Sequence, residues 1–325
     1  MLRAFLVDED GTTGVRDLDD SVLGDDPVVI DVEWSSINFK DTMVRDPNSR
    51  VAGRYPLIPG VDVSGAVAQS PPGGPSVGGR ALAHGYEIGA SHHGGFAERA
   101  RMPARWTVEL PQGTDSRTAA LLGTAGFTAF VSVLRLEEVG LTPERGPVLV
   151  TGATGGVGSL AVLLLARRGY EVVASTGKAD RRSYLTSLGA TQVIGRDEIG
   201  DGTGPLGSGR WAGAVDCVGG ATLAAVLRSL NYGGAVAASG LTGGSSLTTT
   251  VYPFILRGVA LLGVDTARTP IEERRRLWPS LLGAIPAEPL EAIVDREVDL
   301  AGLDKALDDV AGARVTGRVL VNPQA

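Results

Sequence analysis

The sequence predicts an α/β protein in which a doubly wound parallel sheet is inserted into a β-rich domain. Three observations predict it. The first ~120 residues are dominated by β-like runs broken by Gly and Pro, with little helical pattern. From residue 147, apolar strands alternate with helices of about 10–12 residues, the signature of βαβ units on a parallel sheet. A last strand, "GRVLVN" (317–322), has no alternating partner nearby and is expected to return to the N-terminal domain.

In chain order, the strands expected first are "PVVIDVEWSSI" (27–37), "VDVSGAVAQS" (61–70) and "GGFAERARM" (94–102). An Ala/Leu-rich helical stretch follows at 116–140. Next come the strand "PVLVTGA", an apolar helix ending at Gly169, the strand "YEVVAST", a helix ending at Gly189 and the strand "TQVIG". After the Gly/Ser/Pro loop 201–209 stand "WAGAVDCVG", the helix "ATLAAVLRSL", "YGGAVAASG" and an apolar strand over 254–264. Helices are expected at 271–284 and 301–311. The boundaries are a first domain over 1–122, a nucleotide-binding domain over 123–265 and a return over 266–325.

The chain's 325 residues, 43% of them hydrophobic, suffice for two domains with a substantial core. A net charge of −7 argues against nucleic acid and anionic membranes as partners. Cys217 is the sole cysteine, so no intrachain disulfide and no Cys-rich metal site is expected. The N-terminus does not read as a signal peptide, and no uncharged apolar stretch reaches the roughly 20 residues that span a bilayer. A soluble, cytoplasmic protein is expected.

"VLVTGATGGVGSLAV" (148–162) places Gly152, Gly155, Gly156 and Gly158 between a buried strand and a helix. Glycines there permit a tight turn and let amides approach a pyrophosphate at a helix N-terminus, whose dipole favours the anion. The spacing is G-x-x-G-G-x-G, so the strict dinucleotide fingerprint is not met, but the strand–turn–helix context is present. About 20 residues on, where an acid would bind the ribose 2′-hydroxyl of NAD, the chain offers Ser175, Thr176, Gly177 and Lys178. These can donate to a 2′-phosphate. Charge-assisted bonds of roughly 1.5–3 kcal/mol each would favour NADPH over NADH about ten- to a hundredfold. Arg196 could add charge, whereas Arg181 and Arg182 read better as a solvated basic patch.

No zinc is expected. His92 and His93 are adjacent and point apart on a strand, and His84 has no local partner. An NADPH enzyme without metal suits reduction of a polarised C=C, where hydride adds to the β-carbon and charge gathers on a carbonyl oxygen. The segments "WSSINFKD" (34–41), "PLIPGVDVSGAV" (56–67), "HHGGFAERARM" (92–102), "GTAGFTAF" (123–130), "VTGATGGVGSLAV" (150–162) and "PFILRGVALLGVD" (253–265) carry a family likeness over essentially the whole chain. It resembles the acrylyl-CoA reductases, in the zinc-independent, quinone-oxidoreductase-like branch of the medium-chain dehydrogenase/reductase superfamily.

The resemblance implies a GroES-like catalytic domain beside a Rossmann-type NADP-binding domain, and reduction of a short 2-enoyl-CoA, acryloyl-CoA to propanoyl-CoA. It places the pyrophosphate at Thr154, Gly155, Gly156 and Val157, the 2′-phosphate at Thr176, Gly177, Lys178 and Arg196, and the nicotinamide half near Leu241, Ile255 and Thr266. Two departures stand out. The family's tyrosine near cofactor and substrate is Phe39 here, which can pack on the nicotinamide but cannot donate a proton. A family asparagine near the C-terminus is Ala313.

Asn38, Lys40 and Asp41 are candidate catalytic residues alongside Phe39. Lys40 and Asp41 could equally be an ion pair, and Asn38 could bind a carbonyl oxygen or cap a helix. Tyr86 and His92 flank a Gly-rich loop (84–95) that could cover substrate. Arg45 and Arg54 could contact CoA phosphates but read better as surface arginines, Asp62 reads as structural, and Cys217 as a small core residue. The apolar edge strand 254–264 predicts a symmetric homodimer. Two other functions stay open: a quinone or free-enone reductase, and a non-catalytic NADPH-binding protein.

Overall fold

β1 (Leu2–Val7) and β2 (Thr13–Leu18) pair as an antiparallel hairpin in a computed structural model that describes residues 1–200 and 204–325. The first three residues of the expected loop 201–209 lie outside the described residues. There follow β3 (Val28–Ser36), the short helix α1 (Phe39–Met43), β4 (Asp62–Gln69), β5 (Arg80–His84), β6 (Arg99–Met102) and β7 (Thr107–Glu109). Of the strand expected at 94–102, β6 covers the last four residues and Ala97 bridges Ala4 of β1. Gly94 and Gly95 instead donate to Ile58 and Gly60, which seats this stretch on the loop before β4.

The next elements are α2 (Ser116–Glu138), β8 (Val148–Val150), α3 (Gly156–Arg167), β9 (Val172–Ser175), α4 (Arg182–Ser187), β10 (Gln192–Ile194), β11 (Trp211–Asp216) and α5 (Gly220–Ser229). The chain then forms β12 (Leu230–Ala238), α6 (Tyr252–Arg257), β13 (Ala260–Gly263), α7 (Ile271–Ala284), α8 (Ala287–Glu291), β14 (Val294–Val298), α9 (Leu303–Ala311) and β15 (Arg318–Val321). The apolar run 254–264 is therefore not one strand. Pro253 in the first helical turn and Gly258, left-handed at φ 60, bracket a helix over its first residues, and only 260–263 extend. Cys217 lies one residue past β11 and is half-buried rather than a strand core residue.

Two compact units are distinguished. One contains residues 1–124, 266–287 and 294–325; the other contains 125–265 and 288–293. The first holds a sheet of order β14-β15-β3-β4-β5-β7, with β6 also on β3. Within it β15 lies antiparallel to β3, with Leu320 opposite Ser36, and parallel to β14. Val28, Ile30, Val32, Val63, Ile88 and Met102 fill one core of this unit, and Phe5, Leu6, Phe96, Leu303 and Val321 belong to another. Gly65 permits the closest strand contact, since a Cβ there would lie 1.9 Å from the Asp31 carbonyl.

The second unit is a six-stranded parallel sheet of order β10-β9-β8-β11-β12-β13. The chain starts in the middle, builds outward to β10, then reverses and builds outward through β11 to β13. The strand order therefore changes direction between β8 and β11, where doubly wound sheets bind ligands beyond the strand ends. Leu149, Val173, Trp211, Val226, Leu227 and Val236 form its core. α2 is long and apolar enough to cross a membrane by length and composition, but most of it is buried inside the protein. It is also broken: Gly123 sits at φ 45, ψ −149.

Candidate functional site

In the second unit, the turn after β8 is shaped for close approach. Gly152 has φ 59, and a Cβ on Gly158 would lie 2.3 Å from the Gly152 carbonyl, so both positions require glycine. Gly155 caps α3, whose first amides have no intrahelical partner and point from a helix N-terminus. Thr154 and Val157 flank these amides. A glycine turn leading into a helix N-terminus with bare amides is what a pyrophosphate needs.

The switch point is braced by two residues that sequence reasoning passed over. Thr151 at the end of β8 donates through its hydroxyl to the Asp216 carboxylate at the end of β11, at 2.6 Å. The Gly219 amide donates to the other Asp216 oxygen at 2.8 Å, and the Cys217 amide donates to Thr151 Oγ1 at 3.1 Å. Burial pushes the Asp216 carboxyl above its usual range. A carboxylate one residue before "CVGG" was the available signal.

At the end of β9 the hydroxyls are engaged locally. Ser175 is buried and donates to the Gly195 carbonyl at 3.3 Å, so its expected contact with a phosphate gives way to a structural one. Thr176 is also buried; its hydroxyl lies 3.2 Å from that of Thr154 and accepts from the Lys178 amide at 3.0 Å. The guanidinium of Arg196 lies over Gly177, where a Cβ would come within 2.8 Å of it. Lys178 and Arg196 therefore provide positive charge at one strand end. Arg182 is used otherwise, donating to the Val193 carbonyl at 2.7 Å, and Arg181 pairs with Asp180 at 3.4 Å. Leu241, in the loop after β12, and Ile255, on α6, are exposed in the same unit, whereas Thr266 is buried in the first unit.

In the first unit, Asp62 and Arg318 form the centre of a buried polar network, 3.2 Å apart. One Asp62 oxygen accepts from Ser36 Oγ at 2.6 Å and Asn38 Nδ2 at 2.7 Å; the other accepts from the amide and hydroxyl of Thr124 at 2.8 and 2.6 Å. The break at Gly123 creates this contact by freeing the Thr124 amide, and a Cβ on Gly123 would lie 2.5 Å from Asp62. Arg318 also donates to the Asn38 side-chain oxygen at 3.0 Å and to the carbonyls of Ile37 and Leu121. Asn38 stands at the N-cap of α1, yet its side chain is turned into this network and not toward the helix amides. Arg318, on the last strand, carried no sequence signal beyond its place in "TGRVLV".

Asp41 is fully buried and accepts from the amides of Asn38, Gly60 and Val61 at 2.7, 3.2 and 3.0 Å. Backbone amides hold it, and not Lys40. Its burial, reinforced by the negative charge of Asp62, pushes its carboxyl up to about 7 against the pull of those amides. Phe39 is 39% exposed at the start of α1, and Lys40 is half-buried beside it.

The remaining candidates have structural partners. Tyr86 donates to the Thr269 carbonyl at 3.0 Å and stacks on Trp106. The His92 ring lies between the Asp26 carboxylate, at 2.8 Å, and the His93 carbonyl, at 2.7 Å. The stretch 84–95 is packed into the fold, with Ile88, Gly89 and Ala90 buried, and is not a free cover. Arg45 pairs with Asp308 at 2.7 Å and Asp304 at 3.9 Å; Arg54 is exposed. His93 accepts from the Ile58 amide at 3.1 Å, and His84 is partnered by Arg274 and Trp278. Among the described residues no group of three or more His, Cys, Asp and Glu is placed to hold a metal ion.

The glycine turn and the doubly wound parallel sheet define a protein of the dinucleotide-binding class with a second, β-rich unit. A family described as zinc-binding dehydrogenase matches residues 156–282, and one described as alcohol dehydrogenase GroES-like domain matches residues 24–112. The acrylyl-CoA reductase AcuI of Ruegeria pomeroyi is 44% identical over the full length of both chains. YhfP of Bacillus subtilis, a candidate quinone oxidoreductase by name, is 46% identical over 96% of this chain and 95% of its own, and its structure with NAD bound aligns with a TM-score of 0.94. The YhdH oxidoreductase of Salmonella enterica, solved in complex with NADP, is 43% identical over all of both chains, with a TM-score of 0.95. The chain belongs to the medium-chain dehydrogenase/reductase superfamily, in the quinone-oxidoreductase-like branch that holds the acrylyl-CoA reductases. It is an NADP(H)-dependent oxidoreductase.

Proposed function

We propose that this protein reduces the C=C bond of a short 2-enoyl-CoA, acryloyl-CoA to propanoyl-CoA. The observation that carries the reading is the full-length likeness to a protein named acrylyl-CoA reductase. When bound, NADPH supplies the hydride that adds to the β-carbon. The α-carbon then takes a proton, and the double bond becomes single. Thr154 to Val157 would hold the pyrophosphate, Lys178 and Arg196 the 2′-phosphate, and Leu241, Ile255 and Thr266 the nicotinamide end.

Phe39, exposed at the start of α1, would be available to a bound nicotinamide, and Lys40 beside it would offer a positive charge to the thioester oxygen or to CoA. Asn38, Asp41, Asp62 and Arg318 fix the start of α1 from which both project. Phe39 carries no proton and the Asp41 carboxyl is enclosed by amides, so the proton for the α-carbon comes from another group or from water. Burial of the network costs free energy unless every member is bonded. Here every member is bonded, and α1 is held rigidly as a result.

Loss of NADPH absorbance with acryloyl-CoA, crotonoyl-CoA and a free enone side by side tests the substrate. The thioesters are expected to react at least about tenfold faster at equal concentration, the worth of one or two contacts to CoA. Equal rates with the free enone would move the chain to the second reading, a quinone or enone reductase, which the likeness to YhfP favours. We further propose that two copies pair through β13, the edge strand of the parallel sheet, beside which Ile255, Leu256 and Leu261 are exposed. A monomeric mass by light scattering would contradict the pairing. A soluble, cytoplasmic location is consistent with this chemistry.

A further inference from the structure

Thr266 to Thr269 is the stretch with which the chain re-enters the first unit, and its backbone is tied down more tightly than a connection requires. Arg274, fully buried on α7, donates through Nη2 to the carbonyls of Thr266 and Ala267 at 2.6 and 3.0 Å, and through Nε to that of Thr269 at 3.1 Å. Its Nη1 donates to the His84 carbonyl at 2.7 Å. Tyr86 reaches the same stretch from β5's end: its amide donates to the Ala267 carbonyl at 2.7 Å and its hydroxyl to that of Thr269 at 3.0 Å. The Arg274 guanidinium lies 4.3 Å from the centre of the Tyr86 ring, which also stacks on Trp106 at 5.3 Å.

Two features set this arrangement apart from ordinary packing. Tyr86 is a bulky residue at φ 48, a strained left-handed conformation that persists where its surroundings over-determine it. Gly85 before it is at φ 73, and a Cβ there would lie 2.7 Å from Arg274 Nη2 and 3.0 Å from the Ala267 carbonyl. The turn is therefore built around access to residues 266–269. His84 completes it, accepting from Trp278 Nε1 at 3.0 Å, and burial beside Arg274 keeps its imidazole neutral.

We infer that Tyr86 and Arg274 are positioning residues that set the backbone of Thr266–Thr269, and through it the contact of Thr266 with the nicotinamide end of NADPH. The inference rests on the reading that Thr266 touches the cofactor. Tyr86 thus acts through the backbone of the cofactor site and takes no proton from substrate.

The test is a binding cycle on the full chain, with NADPH affinity read by quenching of tryptophan fluorescence and folding checked by thermal melts. Tyr86→Phe keeps the ring and loses one hydrogen bond. It is expected to raise the Kd for NADPH about three- to tenfold, the worth of one such bond, and to raise KM for NADPH with kcat at saturation little changed. Thr266→Val is expected to weaken binding similarly, and the double variant no further than the weaker single, because both act through one contact. Arg274→Lys, whose ammonium cannot reach three carbonyls at once, is expected to exceed Tyr86→Phe; should it fail to fold, the Tyr86 cycle decides alone. A weakened Thr266→Val beside an unchanged Tyr86→Phe, or effects that multiply, would overturn the clamp alone. An unchanged Thr266→Val would overturn the reading of Thr266 and the clamp with it.

Discussion

One missing methyl group determines where Arg196 can lie. Because Gly177 has no Cβ, the guanidinium can rest on its backbone at the end of β9, close in sequence to Lys178. The sequence pointed to Lys178 from the absence of an acid, and to Arg196 as an auxiliary. It could not show that Ser175 turns inward, because burial of a small hydroxyl depends on a neighbouring strand's carbonyl. Arg196→Ala, and separately Lys178→Ala, are expected to lower the preference for NADPH over NADH about tenfold each, leaving NADH binding unchanged, as titrations with both cofactors would read. Asp41 gives a second expectation at this scale. Its carboxyl is raised in the fold to about 7 from a usual value near 3.8. A raised carboxyl contributes stability that is fully present below about pH 4 and lost as pH rises toward 7. Asp41→Asn should flatten that slope in denaturant titrations, while costing about 1–3 kcal/mol because its NH2 would face an amide donor.

At the scale of elements, what was legible followed local rules and what was missed followed tertiary ones. The glycine turn, α3 and its end at Gly169 are written in periodicity and in glycine positions, and α7 falls at 271–284 as its pattern predicts. β14 was missed because "VDREV" carries three consecutive charged residues between its valines and owes its extension to pairing with β15. The helix α6 was misread as strand although Pro253 and Gly258 marked both its ends. The break in α2 was invisible, since Gly123 departs from helical geometry to open the Thr124 amide to Asp62, more than 60 residues away. Ala313 is likewise reinterpreted. It follows α9 at φ 54, a position where asparagine is favoured for its conformation, so the family's asparagine has a backbone reason to be there besides any polar contact.

The whole molecule joins a parallel sheet that offers charge and bare amides at its strand ends to a unit whose buried polar network holds α1. This architecture would serve hydride addition to the β-carbon of an enoyl thioester. Incubation of the protein with acryloyl-CoA and NADPH carrying deuterium at the transferable position, followed by mass and proton NMR analysis of the product, tests it most directly. The expected product is propanoyl-CoA with one deuterium on the terminal carbon, and a second hydrogen from solvent on the carbon next to the carbonyl. Deuterium on the carbon next to the carbonyl, or its recovery in an aldehyde with the double bond intact, would overturn hydride addition to the β-carbon.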